Sequence, residues 1–227
     1  MRRSDPNLPG LVRVAEALGE LREQVVFLGG AVAGLLVTDP IAEGVRATRD
    51  IDAVVAAGRA RFHAIEQQVA ARGFTRDMDS GVICRWVHRD TGILFDLMPV
   101  DADVLGFSNR WYGYAVDTAK TVEVADGLTV RLVDAVAFVA TKLEAFVARG
   151  GGDILASHDL EDVLNIVDGR PELVDELAAA PEDVRQAVRD AFARLLARAD
   201  FRNALPGLIA EPERAGVVEE RLGAMAA

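Results

Sequence analysis

The chain has 227 residues, 51% of them hydrophobic, which is enough to bury the core of one large domain or of two small ones. Its formal net charge of −11 argues against a protein that grips long nucleic acid through a basic surface. The single cysteine, Cys84, excludes an internal disulfide. No apolar run is long enough to span a bilayer, and none follows the N-terminal arginines, so we expect a cytoplasmic protein with no membrane partner.

Hydrophobic periodicity predicts alternating helices and strands in the first half of the chain and helices alone from residue 134 onward. Residues 99–114 have no regular pattern. In chain order, we expect a helix at 9–22, a strand at 24–28, a helix at 31–37, a strand at 50–56, a helix at 59–72, strands at 74–77, 82–88 and 92–98, and a hairpin of 121–124 with 128–132.

This pattern is typical of an α+β protein in which a mixed-sheet domain precedes a helical one. We place the first domain at residues 1–132 and the second, which would close a cleft against it, at residues 133–227. The region after Arg170 carries no motif of its own.

Two acids open the predicted strand at 50–56. Side chains alternate along a strand, so Asp50 and Asp52 point to one side and Ile51 to the other. Neighbouring carboxylates repel each other unless a cation lies between them, and such hard oxygen ligands suit Mg²⁺ bound together with phosphates. The alternative is a solvated strand end that happens to carry two acids.

A third acid, Asp96, is the only charge in the apolar run from Ile93 to Val100. A lone charge in a buried strand is costly unless it is paired or binds metal. If its strand lies beside that of Asp50, three carboxylates converge and can hold two divalent ions. The alternative is that Asp96 pairs with an arginine such as Arg85 on the preceding strand.

Upstream of these acids, Gly29 and Gly30 separate a predicted strand from a predicted helix. Glycine lets backbone N–H groups approach a phosphate, and the start of a helix adds partial positive charge. Glycine pairs also serve simply as turns, so this pair gains its interest from its place before the acids.

The glycine pair, then Arg46-Ala47-Thr48-Arg49-Asp50-Ile51-Asp52, then an acid on a later strand, resembles the DNA polymerase β nucleotidyltransferase superfamily. The closer resemblance is to the AbiEii/AbiGii toxin-type nucleotidyltransferase family. That family also has a lysine-bearing helix followed by a helix that starts with acids, as Thr141-Lys142-Leu143-Glu144 and His158-Asp159-Leu160-Glu161-Asp162 do here.

The resemblance implies a role for each matching residue. Asp50, Asp52 and Asp96 would bind Mg²⁺ and perform the catalysis, with Asp96 as the base. The nucleotide would be bound by residues from both halves of the chain: Gly29, Gly30, Arg46, Thr48, Lys142, Asp159 and Asp162. Serine is common in the superfamily where this chain has Gly30, so one hydroxyl contact to phosphate would be missing.

The spacing around Lys142 agrees with an inward position. Phe138, Lys142, Phe146 and Arg149 fall on one helical stripe, and the aromatic residues should pack inward. Lysine is a compact cation that suits phosphate, and we assign Lys142 a catalytic as well as a binding role. The alternatives are a lysine that reaches solvent along an apolar surface, and Asp159 and Asp162 as ordinary acids at a helix start.

These residues predict an enzyme that moves a nucleoside monophosphate from ATP, GTP or another NTP to an acceptor hydroxyl. The acceptor would be RNA such as tRNA, or a protein, and the family resemblance implies a toxin with an antitoxin partner. The alternatives are a small-molecule acceptor of the antibiotic type, which the acidic charge would suit if the acceptor is cationic, and a catalytically silent antitoxin-like binding protein.

Overall fold

The computed structural model of the chain describes residues 5–42, 45–149 and 153–227. Within these ranges the fold is α+β, as predicted, with a mixed seven-stranded sheet and a helical C-terminal region. The strands are β1 Val26–Leu28, β2 Asp50–Val55, β3 Phe74–Arg76, β4 Arg85–His88, β5 Leu94–Pro99, β6 Lys120–Ala125 and β7 Leu128–Leu132. The helices are α1 Leu8–Leu18, α2 Ala33–Leu36, α3 Arg59–Ala71, α4 Ala102–Leu105, α5 Tyr112–Asp117, α6 Ala135–Ala148, α7 His158–Gly169, α8 Leu173–Ala178, α9 Glu182–Ala197, α10 Ala199–Leu208 and α11 Ala215–Ala226.

The described residues divide into two compact units. The sheet unit contains residues 5–32 and 47–134, and the helical unit contains 33–42, 45–46, 135–149 and 153–227. The long helical stretch starts close to the predicted division at residue 132. The segment around α2 precedes the second strand in sequence, yet it groups with the helical unit.

The sheet has the strand order β3-β4-β5-β2-β1-β7-β6, which puts β2 in its centre. β2 runs parallel to β5 and antiparallel to β1, and β1 runs parallel to β7. The two ends of the sheet are the antiparallel hairpin of β6 with β7 and the antiparallel pairs of β3, β4 and β5. The central position of β2 means that residues from both neighbouring strands lie beside its acids.

One face of this sheet contributes a large part of the core of the sheet unit. Ile51 and Phe95 are partners in register and are buried, and Phe74 packs against Phe95 with ring centroids 5.5 Å apart. α1 covers the same face, because a Cβ on its Gly10 would lie 3.5 Å from the Ile51 methyl carbon. Strand alternation therefore directs Asp50 and Asp52 to the opposite face.

Two predicted helices differ from the observed ones. The helix expected at 9–22 ends at Leu18, because Gly19 adopts a positive φ of 55°, and a 3₁₀ turn, Gly19–Gln24, follows. The helix expected at 31–37 is a 3₁₀ turn at Gly30–Val32 followed by the four residues of α2. So short a helix sums few peptide dipoles, which weakens the argument for partial positive charge at the glycine pair.

The segment 99–114, predicted to be irregular, contains α4 and the start of α5. α4 is capped by Asp101, whose carboxylate accepts a hydrogen bond from the amide of Asp103 at 2.9 Å, and it ends at Gly106 with a φ of 83°. Four residues are too few for a periodic apolar pattern, which explains why the sequence did not indicate this helix.

In the helical unit, α6 packs against α7, and α9 packs against α11. Phe138 and Phe146 of α6 are buried, as are Leu160, Val163 and Leu164 of α7. None of the helices in the described ranges is long and apolar enough to cross a lipid bilayer.

Candidate functional site

Asp50, Asp52 and Asp96, which we call the acid triad, lie on one face of the sheet. Asp52 and Asp96 are direct partners in register on the parallel strands β2 and β5, and Asp50 is two residues before Asp52. Residues that are partners in register point to the same side of a sheet, so all three carboxylates share a face. The sequence expectation that the Asp96 strand lies beside that of Asp50 is confirmed.

Arg85 of β4 lies among these acids. It is the partner of Asp96 in register, and its guanidinium donates to both Asp96 oxygens, from Nε at 2.8 Å and from Nη2 at 2.7 Å. The same Nη2 donates to Oδ2 of Asp50 at 2.8 Å. The pairing of Asp96 with Arg85, which the sequence left open as an alternative, is therefore present, and it bridges two members of the triad.

The Arg85–Asp96 pair is largely buried, and its hydrogen bonds offset the cost of burying the two charges. The Asp96 side chain is 8% exposed and that of Arg85 is 16% exposed, whereas Asp50 is one-third exposed. Hydrogen bonding to Asp96 raises the pKa of Arg85 above its usual value and outweighs the opposing effect of burial. The guanidinium is thus a permanent positive charge at the buried end of the triad.

Thr48 fixes the orientation of Asp50 from the exposed side. Its hydroxyl donates to Oδ1 of Asp50 at 2.7 Å, and its amide donates to the side-chain oxygen of the buried Asn7 at 2.8 Å. Both oxygens of Asp50 therefore have a donor, Thr48 on one and Arg85 on the other. Thr48 was predicted as a nucleotide ligand, and the structure gives it a supporting contact to the triad.

Gly29 lies against Asp52. It has a positive φ of 78°, and a Cβ at this position would overlap the Asp52 carboxylate, at 2.7 Å from Cγ. Its neighbour Gly30 is buried at the start of a 3₁₀ turn. Glycine is thus required at position 29 to make room for Asp52, a steric reason that differs from the predicted contact to phosphate.

The sequence predicts Mg²⁺ as the cofactor of this site. Among the described residues, no group of three or more histidine, cysteine or acidic side chains is arranged to hold a metal ion. Asp50 and Asp52 provide hard oxygen donors on the same face, as Mg²⁺ requires. Both oxygens of Asp96 already accept from Arg85, so Asp96 fits as a ligand only if that guanidinium moves away.

Cys84 lies next to this site in sequence and is buried. Burial raises the pKa of its thiol to about 12, and the negative charges of Asp96 and Asp52 add to the effect. The sequence interpretation of Cys84 as a small core residue agrees with this environment.

In the helical unit, Lys142, Arg149, Asp159 and Asp162 form a second charged group, which we call the lysine cluster. The Lys142 ammonium lies 2.7 Å from Oδ2 of Asp162 and 3.1 Å from Oδ1 of Asp159. Arg149 donates to the other oxygen of Asp159 at 2.7 Å. Lys142 is only 13% exposed, so its predicted inward position is confirmed, and a solvent-directed lysine is not what the structure contains.

α6 and α7 hold the lysine cluster in place. Lys142 lies one turn after Phe138 on α6, with its ammonium 5.9 Å from the centre of that buried ring. Asp159 and Asp162 lie three residues apart on α7, which begins after Ser157, whose hydroxyl accepts a hydrogen bond from the amide of Leu160 at 3.2 Å. The acids at this helix start thus bind the lysine of the neighbouring helix.

Arg46 belongs to the same unit as the lysine cluster. Its guanidinium lies 3.9 Å from Oδ2 of Asp162 and 3.8 Å from Oε2 of Glu161. The sequence grouped Arg46 with Thr48 and Asp50 because they are neighbours in the chain. No local pattern indicates that Arg46 reaches α7, more than a hundred positions later, so this placement needed the fold.

Comparisons with known proteins add little to this geometry. No protein-family model matches the chain, and no curated protein matches it. Among solved structures, the chain is similar to JHP933 from Helicobacter pylori, with 12% sequence identity and a TM-score of 0.47 over all of this chain and 93% of that one. A similarity of this degree carries no argument about activity.

Proposed function

We propose that the chain is a nucleotidyltransferase that depends on Mg²⁺ and moves a nucleoside monophosphate from an NTP to an acceptor hydroxyl. The observation that carries the proposal is the acid triad, in which Asp50, Asp52 and Asp96 share one face of adjacent strands. Arg85 brings one positive charge to these three carboxylates, and a metal-bound triphosphate is a substrate that supplies further cations. The family resemblance of the Arg46–Asp52 segment points the same way.

In this proposal, Asp50 and Asp52 hold the ion, and Mg²⁺ bound there would supply the positive charge that a reacting triphosphate needs. Thr48 orients Asp50 through its 2.7 Å hydrogen bond, and Gly29 leaves space for Asp52. Each Asp96 oxygen accepts a bond from Arg85, so for Asp96 to take the proton of the acceptor hydroxyl one of these bonds must weaken.

Lys142 is proposed to contact the phosphates. Asp159 and Asp162 hold its ammonium in a fixed position, which lowers the entropy cost of placing a cation against a phosphate. Arg46 approaches the same acids and would add a second positive charge to the nucleotide site. Asp159 and Asp162 then support the cations and need not touch the nucleotide themselves.

The test is a transfer assay. The protein is incubated with each α-³²P-labelled NTP, Mg²⁺ and, separately, total RNA, total protein or a metabolite extract, and the labelled fraction is identified. Asp52→Asn should abolish the labelling and leave the fold intact, as judged by circular dichroism. Asp90→Asn, the same chemical change in an exposed turn of the same unit, should label as the wild type does. Equal labelling by both variants would remove the triad from the reaction.

A second candidate function is a catalytically silent nucleotide-binding protein of the antitoxin type. The observation in its favour is that Arg85 engages both oxygens of Asp96 and one of Asp50. Such a protein would bind an NTP in the presence of metal and label nothing in the transfer assay. Nucleotide binding measured by equilibrium dialysis, compared with turnover, separates the two functions.

The acceptor defines the remaining alternatives. The net charge of −11 favours a cationic small molecule over a long polyanion for simple electrostatic reasons. The family resemblance favours RNA such as tRNA, or a protein, with the chain acting as a toxin and an antitoxin protein as its partner. Label in the metabolite fraction supports the first, and label in RNA or protein with growth arrest on expression supports the second.

A further inference from the structure

Arg85 has a geometry that goes beyond simple charge balance. Its Nη2 donates at 2.7 Å to Asp96 and at 2.8 Å to Asp50, so one nitrogen lies between carboxylates on strands β5 and β2. A positive group shared by two carboxylates supplies charge that would otherwise have to come from a metal ion. Nε at 2.8 Å completes a two-point contact with Asp96, which orients the planar group.

The strands, as well as the side chains, favour this contact. Arg85 and Asp96 are direct partners in register on the antiparallel strands β4 and β5, and Asp96 is in turn the partner of Asp52 on β2. The Asp96 side chain is 8% exposed, so its charge is costly without a partner. Release of Arg85 would therefore require another cation to replace it.

From this geometry we infer that Arg85 is the resident cation of the acid triad, which withholds Asp96 from metal and leaves one divalent ion site, at Asp50 and Asp52. The inference concerns the proposed nucleotidyltransferase site and in that sense rests on the proposed function. It assigns to a protein side chain the second positive charge that a pair of metal ions would otherwise supply.

The test measures the binding of Mn²⁺, a paramagnetic substitute for Mg²⁺, to the full chain without nucleotide. Binding is followed by the decrease in the electron paramagnetic resonance signal of the free ion. Arg85→Gln removes the charge but keeps amide donors for Asp96. We expect this variant to gain a second Mn²⁺ site that the wild type lacks. Its affinity should be about tenfold or more above that of the wild-type site, because one unit of nearby positive charge is lost. Adding Asp96→Asn to Arg85→Gln should abolish the gain.

Two control variants isolate the cause. Arg85→Lys keeps the charge but loses the two-point contact with Asp96, so its gain in Mn²⁺ affinity should be smaller than that of Arg85→Gln. Arg131→Gln makes the same charge change on β7, where the guanidinium donates to the carbonyl of Val116, and it should have no effect on binding. The inference is overturned if Arg85→Gln shows no gain in Mn²⁺ affinity, if the gain survives Asp96→Asn, or if Arg85→Lys shows an equal gain.

A comparison in the wild-type background keeps the inference testable if Arg85→Gln fails to fold. Asp52→Asn should weaken Mn²⁺ binding by about tenfold or more because it removes a ligand, while Asp96→Asn should weaken it clearly less. Equal losses would mean that Asp96 is a ligand despite Arg85. These binding results stand apart from turnover. If Mn²⁺ binds as expected but the transfer assay shows no labelling, only the proposed function is wrong. If labelling occurs but the Mn²⁺ results differ from those expected, only the role of Arg85 is wrong.

Discussion

The backbone of Gly29 lies directly against the carboxylate of Asp52, so closely that a single added carbon would overlap it. We expect Gly29→Ala to lower the free energy of unfolding by roughly 1–3 kcal/mol through strain at positive φ and displacement of Asp52. Gly81→Ala is the matched control, because Gly81 has a φ of 71° and a Cβ there would meet nothing within 4 Å. Urea unfolding should show a larger loss for Gly29→Ala, and equal losses would mean that Asp52 tolerates the methyl group.

Thr48→Val should reduce Mn²⁺ affinity roughly fivefold, the equivalent of about 1 kcal/mol, because Asp50 loses the hydroxyl that donates to it at 2.7 Å. Thr48→Ser keeps that hydroxyl and should stay close to the wild type. The measurement is Mn²⁺ titration of both variants. Reduced binding in Thr48→Ser as large as that in Thr48→Val would show that the methyl group, and not the hydrogen bond, is what counts.

Lys142→Ala should lower the free energy of unfolding by up to about 3 kcal/mol, because Asp162, 2% exposed, is left with Arg46 at 3.9 Å. It should also weaken NTP binding and slow transfer, and Lys142→Arg should restore both only in part. Lys120→Ala, which removes the only other lysine from an exposed strand position, is the control. If the unfolding curve and the NTP titration of Lys142→Ala match those of the wild type, Lys142 neither stabilises the fold nor binds the nucleotide.

Because of Cys84, we expect the free energy of unfolding to decrease at high pH. Its folded-state pKa of about 12 lies above the ordinary value of 9.0, so the protonated thiol favours the folded state. This contribution is complete below pH 9.0 and is lost as the pH rises toward about 12, since only the unfolded chain ionises easily in that window. Cys84→Ala should show a smaller decrease in unfolding free energy across this range than the wild type. Parallel curves for the two proteins would contradict the prediction.

The acid triad could be predicted from sequence because its signals are local. Side chains alternate along a strand, which puts Asp50 and Asp52 on one side of it. Asp96 is the single charge in an apolar run, which indicates a buried strand whose acid needs a partner or a metal ion. The sequence left two partners open for Asp96, a metal ion or an arginine such as Arg85, because strand pairing decides between them. The observed register of β4 with β5 puts Arg85 beside it.

Other features depended on contacts between distant parts of the chain. Arg46 pairs with acids of α7, and no local pattern reports such a distance in sequence. The stripe of Phe138, Lys142 and Phe146 indicated an inward lysine correctly, because helical periodicity is a local property. Whether Lys142 faces the acid triad, as the resemblance implies, stays a prediction.

β2 is the fourth of the seven strands, so the two acids that it carries lie far from the outer strands of the sheet. From Asp52 to Val54 both edges of β2 are paired, so the amide hydrogens of this segment can exchange with water only when the middle of the sheet opens. The outer strands β3 and β6 can fray without moving Asp50 or Asp52. The backbone that carries Asp52 therefore has a lifetime close to that of the folded sheet unit itself, and local fraying at the rim leaves it in place.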